Sequence, residues 1–234
     1  MLSLVPTRAP VVGWRHGWPG GLPEVDVPPM HKAHPWHGIA IGDAAPEVVT
    51  VFIEIVPGDT VKYEVDKVSG YLKVDRPQLY SSNVPALYGF IPRTYCGWRT
   101  ADFCARRSGR EVTAGDGDPL DVLVLTEHRF PRGDIILQAL PIGGLRLVDR
   151  READDKIIAV LRDDEVYGSW SDISGCPPGL LSRIRHYFLS YKTMPGELRR
   201  DIEIAGIYGR EDALEVIRLA QADYAESFGN TAAP

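Results

Sequence analysis

The segment that most limits how this chain can fold is the run Asp-Gly-Asp-Pro-Leu-Asp at 116–121, which is followed at once by apolar residues 122–125. Gly117 and Pro119 exclude a regular helix, so the run predicts a turn that enters a β-strand. Its three carboxylates repel one another at neutral pH unless a cation lies among them or protons are shared. Converging carboxylate oxygens suit Mg²⁺, Mn²⁺ or Ca²⁺ better than zinc. The turn therefore indicates a cation site, with a solvated acidic turn as the simpler alternative.

Composition narrows the classes of protein to which the chain can belong. Of its 234 residues, 44% are hydrophobic and 25% are charged, as in a globular domain with a buried core. The formal net charge of −6 argues against nucleic acid as a partner. No apolar run reaches the roughly 18 residues of a membrane span, so we expect no membrane partner. Three cysteines without a C-x-x-C pair favour free thiols and predict a cytoplasmic protein.

The N-terminal stretch differs from the remainder in composition. Residues 1–46 carry eight of the 19 prolines and six glycines, which predicts an extended arm. Residues 47–234 are then expected to form a single domain. Arg8 and the surrounding prolines interrupt any secretory signal. Met30 lies inside the predicted arm, and we hypothesise that it is an alternative natural start to Met1.

Strand patterns dominate the sequence from residue 48 onward. Residues 48–56 form a β-branched run, 57–59 a turn, and 60–66 an alternating strand with Lys62 and Glu64 on its polar face. Further strands are predicted at 71–76, 122–126, 134–141, 145–149 and 156–161. The pattern indicates one β-rich domain in the form of a small barrel.

Helical periodicity appears only near the C-terminus. A first amphipathic helix is predicted after the proline pair 177–178, with its apolar stripe at Leu181, Ile184, Phe188 and Tyr191. A second is predicted over 211–227. These two helices are expected to pack against the β-rich part of the domain.

A second acidic segment complements the first turn. Asp149 ends the strand predicted at 145–149, and Asp154 precedes the next strand, with Lys156 one alternation beyond it. If this loop lies beside residues 116–121, at least five carboxylates surround two or more divalent ions. Two cations bridged by carboxylates are a common arrangement for splitting phosphoric anhydrides and esters.

Basic and phenolic residues supply groups that bind phosphate oxygens. The candidates are Lys62, Arg76, Tyr88, Lys156, Tyr191 and Lys192. Each of them taken alone is equally compatible with a surface cation or a packed ring. Residue types and spacing therefore indicate metal-dependent phosphoryl chemistry without specifying the substrate.

These residues form part of an ordered series that resembles the family I soluble inorganic pyrophosphatases. The acidic turn fits the core motif of that family, and the resemblance runs from about His34 to about Lys192. The matching segments are 52–55, 61–66, 74–76, 87–92, Asp149, 154–160 and 186–192. A match to this whole series in this order does not arise by chance.

The resemblance implies a mainly β fold with flanking helices, an OB-like twisted five-stranded β-barrel with two C-terminal α-helices. It also implies a hydrolase that converts inorganic pyrophosphate to two phosphates by in-line attack of a metal-activated water. The implied cofactor is Mg²⁺, several ions per active site, with Mn²⁺ as an acceptable substitute. The implied assembly is a homo-oligomer, either a dimer or a hexamer.

The resemblance also implies a role for each candidate residue. Asp118 resembles the base that orients or deprotonates the attacking water. The implied metal ligands are Asp116, Asp121 and Asp154 for the tighter pair, Asp149 for metals that arrive with substrate, and Glu54 and Glu64 as outer carboxylates. The implied phosphate contacts are Lys62, Arg76, Tyr88, Tyr191 and Lys192, with Lys156 as a further one.

Three features of the sequence depart from the family pattern. Val84 stands where a tyrosine is frequent, and arginines 150–151 follow Asp149 where many relatives carry an acidic residue. Residues 96–115 form a longer, arginine-rich insertion than in compact bacterial members. We interpret the insertion as a solvated loop, with a lid or a subunit contact as the alternative.

Two other functions remain as alternatives to pyrophosphatase. One is another metal-dependent phosphohydrolase, although no Thr follows Asp118 as an Asp-x-Asp-x-Thr nucleophile motif requires. The other is a non-catalytic OB-type module that binds single-stranded nucleic acid. Such a module needs an aromatic and basic groove, whereas the polar strand positions of this chain are mostly acidic.

Overall fold

Ten strands and three helices make up the part of the chain that this computed structural model describes, residues 32–79, 81–192 and 202–229. The helices are α1 (Trp98–Ser108), α2 (Pro178–Ser190) and α3 (Arg210–Phe228). The strands are β1 (Val49–Ile55), β2 (Val61–Val65), β3 (Leu72–Pro77), β4 (Leu87–Phe90), β5 (Ala114–Gly115), β6 (Asp121–Leu125), β7 (Ile135–Asp149), β8 (Glu152–Ala153), β9 (Lys156–Leu161) and β10 (Ile202–Gly209). A mainly β fold with two C-terminal helices is thereby confirmed.

Five of the strands close into a ring. β1 pairs with β4, β4 with β6, β6 with β9, β9 with β7, and β7 returns to β1. β7 has 15 residues, so its first part pairs with β1 and its last part with β10. β2 and β3 form a separate two-stranded hairpin. The ring of five agrees with the five-stranded architecture that the family resemblance implied.

The apolar core explains why β6 and β9 were recognisable as apolar runs. Val122 and Ile157 pack into a cluster with β1 and α3, whereas Leu123 and Ile158 pack on the other face against Phe188 of α2. Strands buried on both faces are apolar at nearly every position. Charged residues are therefore confined to the strand ends, where Asp121 begins β6 and Lys156 begins β9.

The interpretation of residues 96–115 as a solvated loop was wrong, because α1 occupies most of this segment. Phe103 and Cys104 on its inner face are buried. Asp223 of α3 receives hydrogen bonds from the backbone amides of Gly97 (3.1 Å) and Thr100 (3.1 Å) at the start of α1. A carboxylate at this end stabilises a helix by satisfying free amides and by opposing the helix dipole.

Several other elements differ from the predicted ones, and the short strands β4, β5 and β8 were not predicted. The strands predicted at 134–141 and 145–149 are one continuous strand, β7, with an irregularity in its pairing with β9 between Pro141 and Gly143. β10 was not predicted at all. Its pairing with β7 also shifts, between Ile204 and Gly206, so its side chains do not alternate regularly.

The described residues from Ala33 onward belong to one unit of the structure. Trp36 is buried, and its indole Nε1 donates a hydrogen bond to the carbonyl oxygen of Thr94 at 2.8 Å. Met30 and the rest of residues 1–31 lie outside the described residues, so the division of the chain at residue 46 stays a prediction. Within the described ranges, no helix has the length and apolar character needed to cross a membrane.

Candidate active site

The acidic turn is held in place by backbone hydrogen bonds to the loop that precedes α1. The amide of Gly117 donates to the carbonyl of Cys96 at 3.1 Å, and the amide of Cys96 donates to the carbonyl of Asp118 at 2.8 Å. Gly117 has a φ of +76°, which a side chain would strain. A Cβ on Gly115 would lie 2.1 Å from the Cys96 carbonyl oxygen. These two glycines therefore allow the turn to pack directly against the backbone of the loop that contains Cys96.

Lys156 is the charge at the centre of the site. The parallel pairing of β6 with β9 sets Lys156 opposite Asp121, and the buried ammonium donates to the carboxylates of both Asp121 and Asp154. The hydroxyl of Tyr88 donates to Asp121 Oδ2 at 2.6 Å. Burial opposes the charge of Lys156, but the two carboxylates outweigh burial and raise the pKa of the ammonium well above its usual value. Lys156 is therefore fully charged at neutral pH.

Asp116 and Asp154 form a close carboxyl pair beside this ammonium. Burial, reinforced by the neighbouring carboxylate of Asp154, raises the pKa of Asp116 well above its usual value. Burial likewise raises the pKa of Asp154. The two side chains are hydrogen-bonded to each other, and the Asp116 carboxylate also accepts from the amide of Asp118 at 3.0 Å. Two buried carboxyls in this arrangement share a proton or bind a cation.

The carboxylates fit a hard divalent cation by their chemistry. Among residues 32–79, 81–192 and 202–229, no three His, Cys, Asp or Glu side chains converge on one point as metal ligands. In this site the Lys156 ammonium lies between Asp121 and Asp154, and Asp116 is directed to Asp154. The donors are nevertheless all carboxylate oxygens, which Mg²⁺ and Mn²⁺ prefer. A cation of this kind therefore fits the chemistry of these donors.

A cavity of about 90 Å³ opens in front of the acidic turn. The charged and phenolic residues that line it are Glu54, Lys62, Glu64, Lys67, Tyr88, Asp118 and Asp121. Glu54 is 7% exposed and accepts a hydrogen bond from the amide of Val65 at 2.6 Å. Burial raises the pKa of Glu54 to about 8. The cavity therefore contains a carboxyl that is largely protonated near neutral pH.

The β2–β3 hairpin carries the cations of the predicted phosphate clamp. Its register sets Lys62 opposite Arg76, and both bind Asp75, at 2.8 Å from the Lys62 ammonium and 2.7 Å from the Arg76 guanidinium. The guanidinium of Arg76 also lies 5.8 Å from the centre of the Tyr191 ring. Lys62 is further 3.5 Å from Glu64. Half-exposed cations around one carboxylate can exchange that partner for a phosphate oxygen.

Asp149 and Lys192 form a separate ion pair. The ammonium of Lys192 lies 2.9 Å from Asp149 Oδ2, and it also stands 5.4 Å from the centre of the Tyr191 ring. Asp116, Asp121 and Asp154 are thus gathered around Lys156, whereas Asp149 is paired with Lys192, two residues beyond the end of α2. The metal role of Asp149 stays a prediction.

Lys67 is a site residue that the sequence did not reveal. Its ammonium donates to the carboxylate of Asp118, and it lines the cavity. Lys67 lies in a turn two residues beyond the end of β2, so the alternation that marked Lys62 and Glu64 does not extend to it. A basic residue just after an alternating strand was the available signal.

Comparisons with known proteins agree on one family. The family model described as inorganic pyrophosphatase matches residues 51–225. The inorganic pyrophosphatase of Chlamydia trachomatis serovar L2 is 52% identical over 204 residues, which cover 86% of this chain and 98% of that protein. That of Chlamydia muridarum is 51% identical over 204 residues, with the same coverage. The crystal structure of the Thermus thermophilus inorganic pyrophosphatase has a TM-score of 0.68 at 31% identity and covers 82% of this chain and 99% of that one.

Proposed function

This chain belongs to the inorganic pyrophosphatase family, and we propose that the acidic site around Lys156 hydrolyses inorganic pyrophosphate to two phosphates with Mg²⁺ as cofactor. The family resemblance seen in the sequence is thereby confirmed. One observation supports the proposal above all others: carboxylates that suit hard cations and side chains that suit phosphate meet in one cavity. A substrate with several negative charges and a cation requirement fits both halves of this cavity.

The proposed cation ligands are the three carboxylates nearest Lys156, namely Asp116, Asp121 and Asp154. Asp149 joins them when substrate is bound, and Glu54 and Glu64 act as outer carboxylates. Bound Mg²⁺ lowers the pKa of water and neutralises phosphate oxygens. Support comes from the raised pKa of Glu54, because a buried carboxyl with that property gives up a proton when a cation binds.

Asp118 is the proposed base. Asp118 lines the cavity, and its side chain is 43% exposed, so water can reach it. The Asp118 carboxylate orients the attacking water and accepts a proton from it. A base at this position needs no covalent intermediate, because the water attacks the phosphoryl group in line with the leaving phosphate.

The proposed phosphate contacts are Lys62, Arg76, Tyr88, Lys156, Tyr191 and Lys192. Their positive charges hold the substrate and stabilise the charge that builds up on the departing phosphate. Before substrate binds, Asp75 bonds to both Lys62 and Arg76 and keeps them close together. The hydroxyl of Tyr88, now bound to Asp121, is available to a phosphate oxygen once a cation has taken over that carboxylate.

Release of phosphate from pyrophosphate tests the proposal. The purified protein is expected to release phosphate with Mg²⁺ and to stop when a chelator is added. Asp118→Asn is expected to lower turnover by about 100-fold to 10,000-fold, the usual contribution of a general base. Asp163→Asn, at an exposed aspartate outside the cavity, is the matched control and keeps full turnover. No release by wild-type protein at micromolar concentration would refute the function, and normal turnover in Asp118→Asn would refute the base.

We further propose a homo-oligomer, a dimer or a hexamer, that works in the cytoplasm. The buried free thiols of Cys96, Cys104 and Cys176 support a reducing compartment. Exposed apolar side chains at Tyr71 and Trp98 support an association between copies. A solution mass of one chain would contradict the proposed assembly.

A further inference from the structure

A buried arginine lies behind the acidic site. Arg146 of β7 is 5% exposed, and its guanidinium is located between two aromatic rings. The guanidinium carbon is 4.5 Å from the ring centre of Tyr208 in β10 and 5.2 Å from that of Phe103 in α1. A guanidinium between two ring faces gains cation–π attraction and has little freedom to move. Arg146 is therefore a fixed positive charge inside the protein.

Two carboxylates compensate this charge. The Arg146 guanidinium donates to Asp212 Oδ2 of α3 at 3.1 Å, and its Nε lies 4.0 Å from Asp155 Oδ1. Asp155 is 4% exposed. Neither Arg146 Nε nor Asp155 Oδ1 has a hydrogen-bond partner in the described part of the chain. Their attraction is therefore a charge pair in a low-dielectric interior, where it is stronger than at the surface.

Asp155 separates two residues of the site. Its neighbours Asp154 and Lys156 are in direct contact through their side chains. Side chains alternate along an extended segment, so Asp155 points to the side opposite to both neighbours. The amide of Asp154 donates to the Leu147 carbonyl at 2.9 Å. Leu147 follows Arg146 directly, so this part of β7 holds the Asp154–Lys156 backbone from behind.

The helix that the sequence did not predict is part of the same arrangement. α1 supplies Phe103 to the aromatic pair around Arg146, and its Arg107 lies 3.0 Å from Asp212. After α1 the chain enters β5, which pairs in parallel with β8. The amide of Asp116 then donates to the carbonyl of Ala153 at 3.2 Å. The side chains of Asp116 and Asp154 therefore extend from two adjacent backbone segments near the buried Arg146 guanidinium.

We infer that Asp155 and Arg146 are positioning residues for the cation site, because their buried pair fixes the backbone from which the side chains of Asp154 and Lys156 meet each other and Asp121. The inference rests on the proposed function of that site. Neither residue touches substrate or cation. They act by setting the distance at which the Asp154 carboxylate and the Lys156 ammonium face Asp116 and Asp121, as partners of metal ligands do in other sites.

A double-mutant cycle separates positioning from simple stabilisation. The variants are Asp155→Asn, Arg146→Met and the two combined, with Arg107→Met as the matched control that touches the same Asp212 from the surface. Arg146→Met leaves the buried Asp155 carboxylate without its charge partner and lowers the melting temperature, whereas Asp212 keeps Arg107. The double variant removes the orphaned Asp155 charge and recovers part of the loss. The double variant therefore regains part of the stability although the Arg146–Asp155 pair is still absent.

The decisive measurement is Mn²⁺ binding without substrate, followed by electron paramagnetic resonance. Asp155→Asn and the double variant are expected to bind Mn²⁺ about 10-fold more weakly, the lower end of the range for partners of metal ligands. In steady-state assays they require more Mg²⁺ for half-maximal rate, whereas Arg107→Met matches wild type in both. If Asp155→Asn binds Mn²⁺ within twofold of wild type, the pair is only structural and the inference fails.

The same experiment distinguishes this inference from the proposed function. Wild-type protein that binds Mn²⁺ but releases no phosphate from pyrophosphate refutes the function. Weaker Mn²⁺ binding in Asp155→Asn supports the positioning role in that case as well. Asp155→Asn also keeps the result readable if Arg146→Met fails to fold, because it leaves the Arg146–Asp212 bond in place.

Discussion

The two halves of the active site hold their charges in different ways. At the end of the ring, Lys156 is 3% exposed and lies between carboxylates of β6 and of the loop before β9. On the β2–β3 hairpin, the Lys62 side chain is 20% exposed and that of Arg76 34%, and both share Asp75. Water screens the second group of charges and hardly reaches the first.

The supporting backbone differs in the same direction. Asp121 and Lys156 stand opposite each other in the register of a closed five-stranded ring. The hairpin is a sheet of only two strands, a kind of structure that is marginally stable by itself. It is tied to the ring by the hydrogen bond from the Val65 amide to Glu54. The ring is therefore suited to fixed cation ligands, and the hairpin to side chains that move when a phosphate enters.

Replacement of Lys156 gives the largest expected effect. Lys156→Met leaves the buried carboxylates of Asp121 and Asp154 without their cation, which costs about 3–5 kcal/mol of unfolding free energy. Turnover is expected to fall by about 100-fold or more, since a preorganised charge at the reacting phosphate is lost. Denaturant unfolding in the presence of a chelator, together with phosphate release, measures both effects.

The hairpin counterpart is Lys62→Met, for which the loss of unfolding free energy is expected to be about 1 kcal/mol or less. Added Mg²⁺ should stabilise Lys156→Met more than wild type, because it replaces the missing cation between the carboxylates. Equal losses of stability in the two variants would break the distinction between ring and hairpin.

A pH series with Glu54→Gln gives the next largest effect. The folded-state pKa of Glu54 is raised to about 8 by burial, so from about pH 4.5 upward the unfolded chain loses a proton that the folded chain keeps. Wild-type stability therefore falls between about pH 4.5 and 8, on the order of 1.4 kcal/mol per pH unit. Glu54→Gln lacks this loss. Its unfolding free energy in chelator should rise above that of wild type as the pH increases from 5 to 8.

Asp75→Asn on the hairpin should behave in the opposite way. Burial works against ionisation of Asp75, but the hydrogen bond from Lys62 outweighs it and lowers the pKa of Asp75. The stability from this carboxylate is present above its unfolded-state pKa and is lost as the pH falls through the lower folded-state pKa. Asp75→Asn is thus destabilising at neutral pH and loses that effect in acid. If the stability change relative to wild type depended on pH with the same sign in Glu54→Gln and Asp75→Asn, the proposed difference between the environments of Glu54 and Asp75 would be wrong.

The sequence revealed the ring end of the site more completely than its surroundings. Runs such as 122–126 and 156–161 were recognisable as strands because both of their faces are buried, and alternation then set Lys156 beside Asp154. α1 was not predicted because the carboxylate at its start, Asp223, comes more than a hundred residues later in the chain. β4 has only four residues, too few for a period to emerge. Local sequence patterns reveal neither a contact between distant segments nor a strand as short as β4.

The same limit applied to charges that lie outside regular alternation. Lys67 sits in a turn, and its partner Asp118 is far away in the sequence. Arg146 stands between two leucines in the sequence, and its aromatic neighbours come from α1 and β10. Each of these residues acquires its role only when distant segments meet. Asp116, Asp118 and Asp121 could be singled out as candidates because they lie in one short turn.

Lys62→Met should have a moderate effect on substrate binding. A half-exposed cation that contacts phosphate is expected to change KM for pyrophosphate by about 10-fold, as for one charge-assisted hydrogen bond. Turnover at saturating substrate should change less. Steady-state kinetics at low and at high ionic strength are the measurement, and the difference from wild type should shrink as salt increases.

Lys73→Met is the matched control on the same hairpin. Lys73 is half-exposed and lies 3.7 Å from Asp66, and it does not line the cavity. Its KM should equal that of wild type. If turnover rather than KM falls in Lys62→Met and salt does not alter the difference, Lys62 is as fixed as Lys156, and the hairpin is no adaptable clamp.

Lys67→Met is expected to have the smallest effect and tests the comparison most finely. The Lys67–Asp118 pair joins the two halves of the site, since the lysine follows β2 and the aspartate belongs to the acidic turn. Both side chains are more than 40% exposed, so screening leaves about 1 kcal/mol or less in the pair, and turnover should change by about threefold at most. Lys67→Arg, measured in the same assay, should match wild type. A loss above about 30-fold in Lys67→Met, beyond what a screened surface pair can contribute, would place Lys67 with Lys156 among the fixed charges of the site.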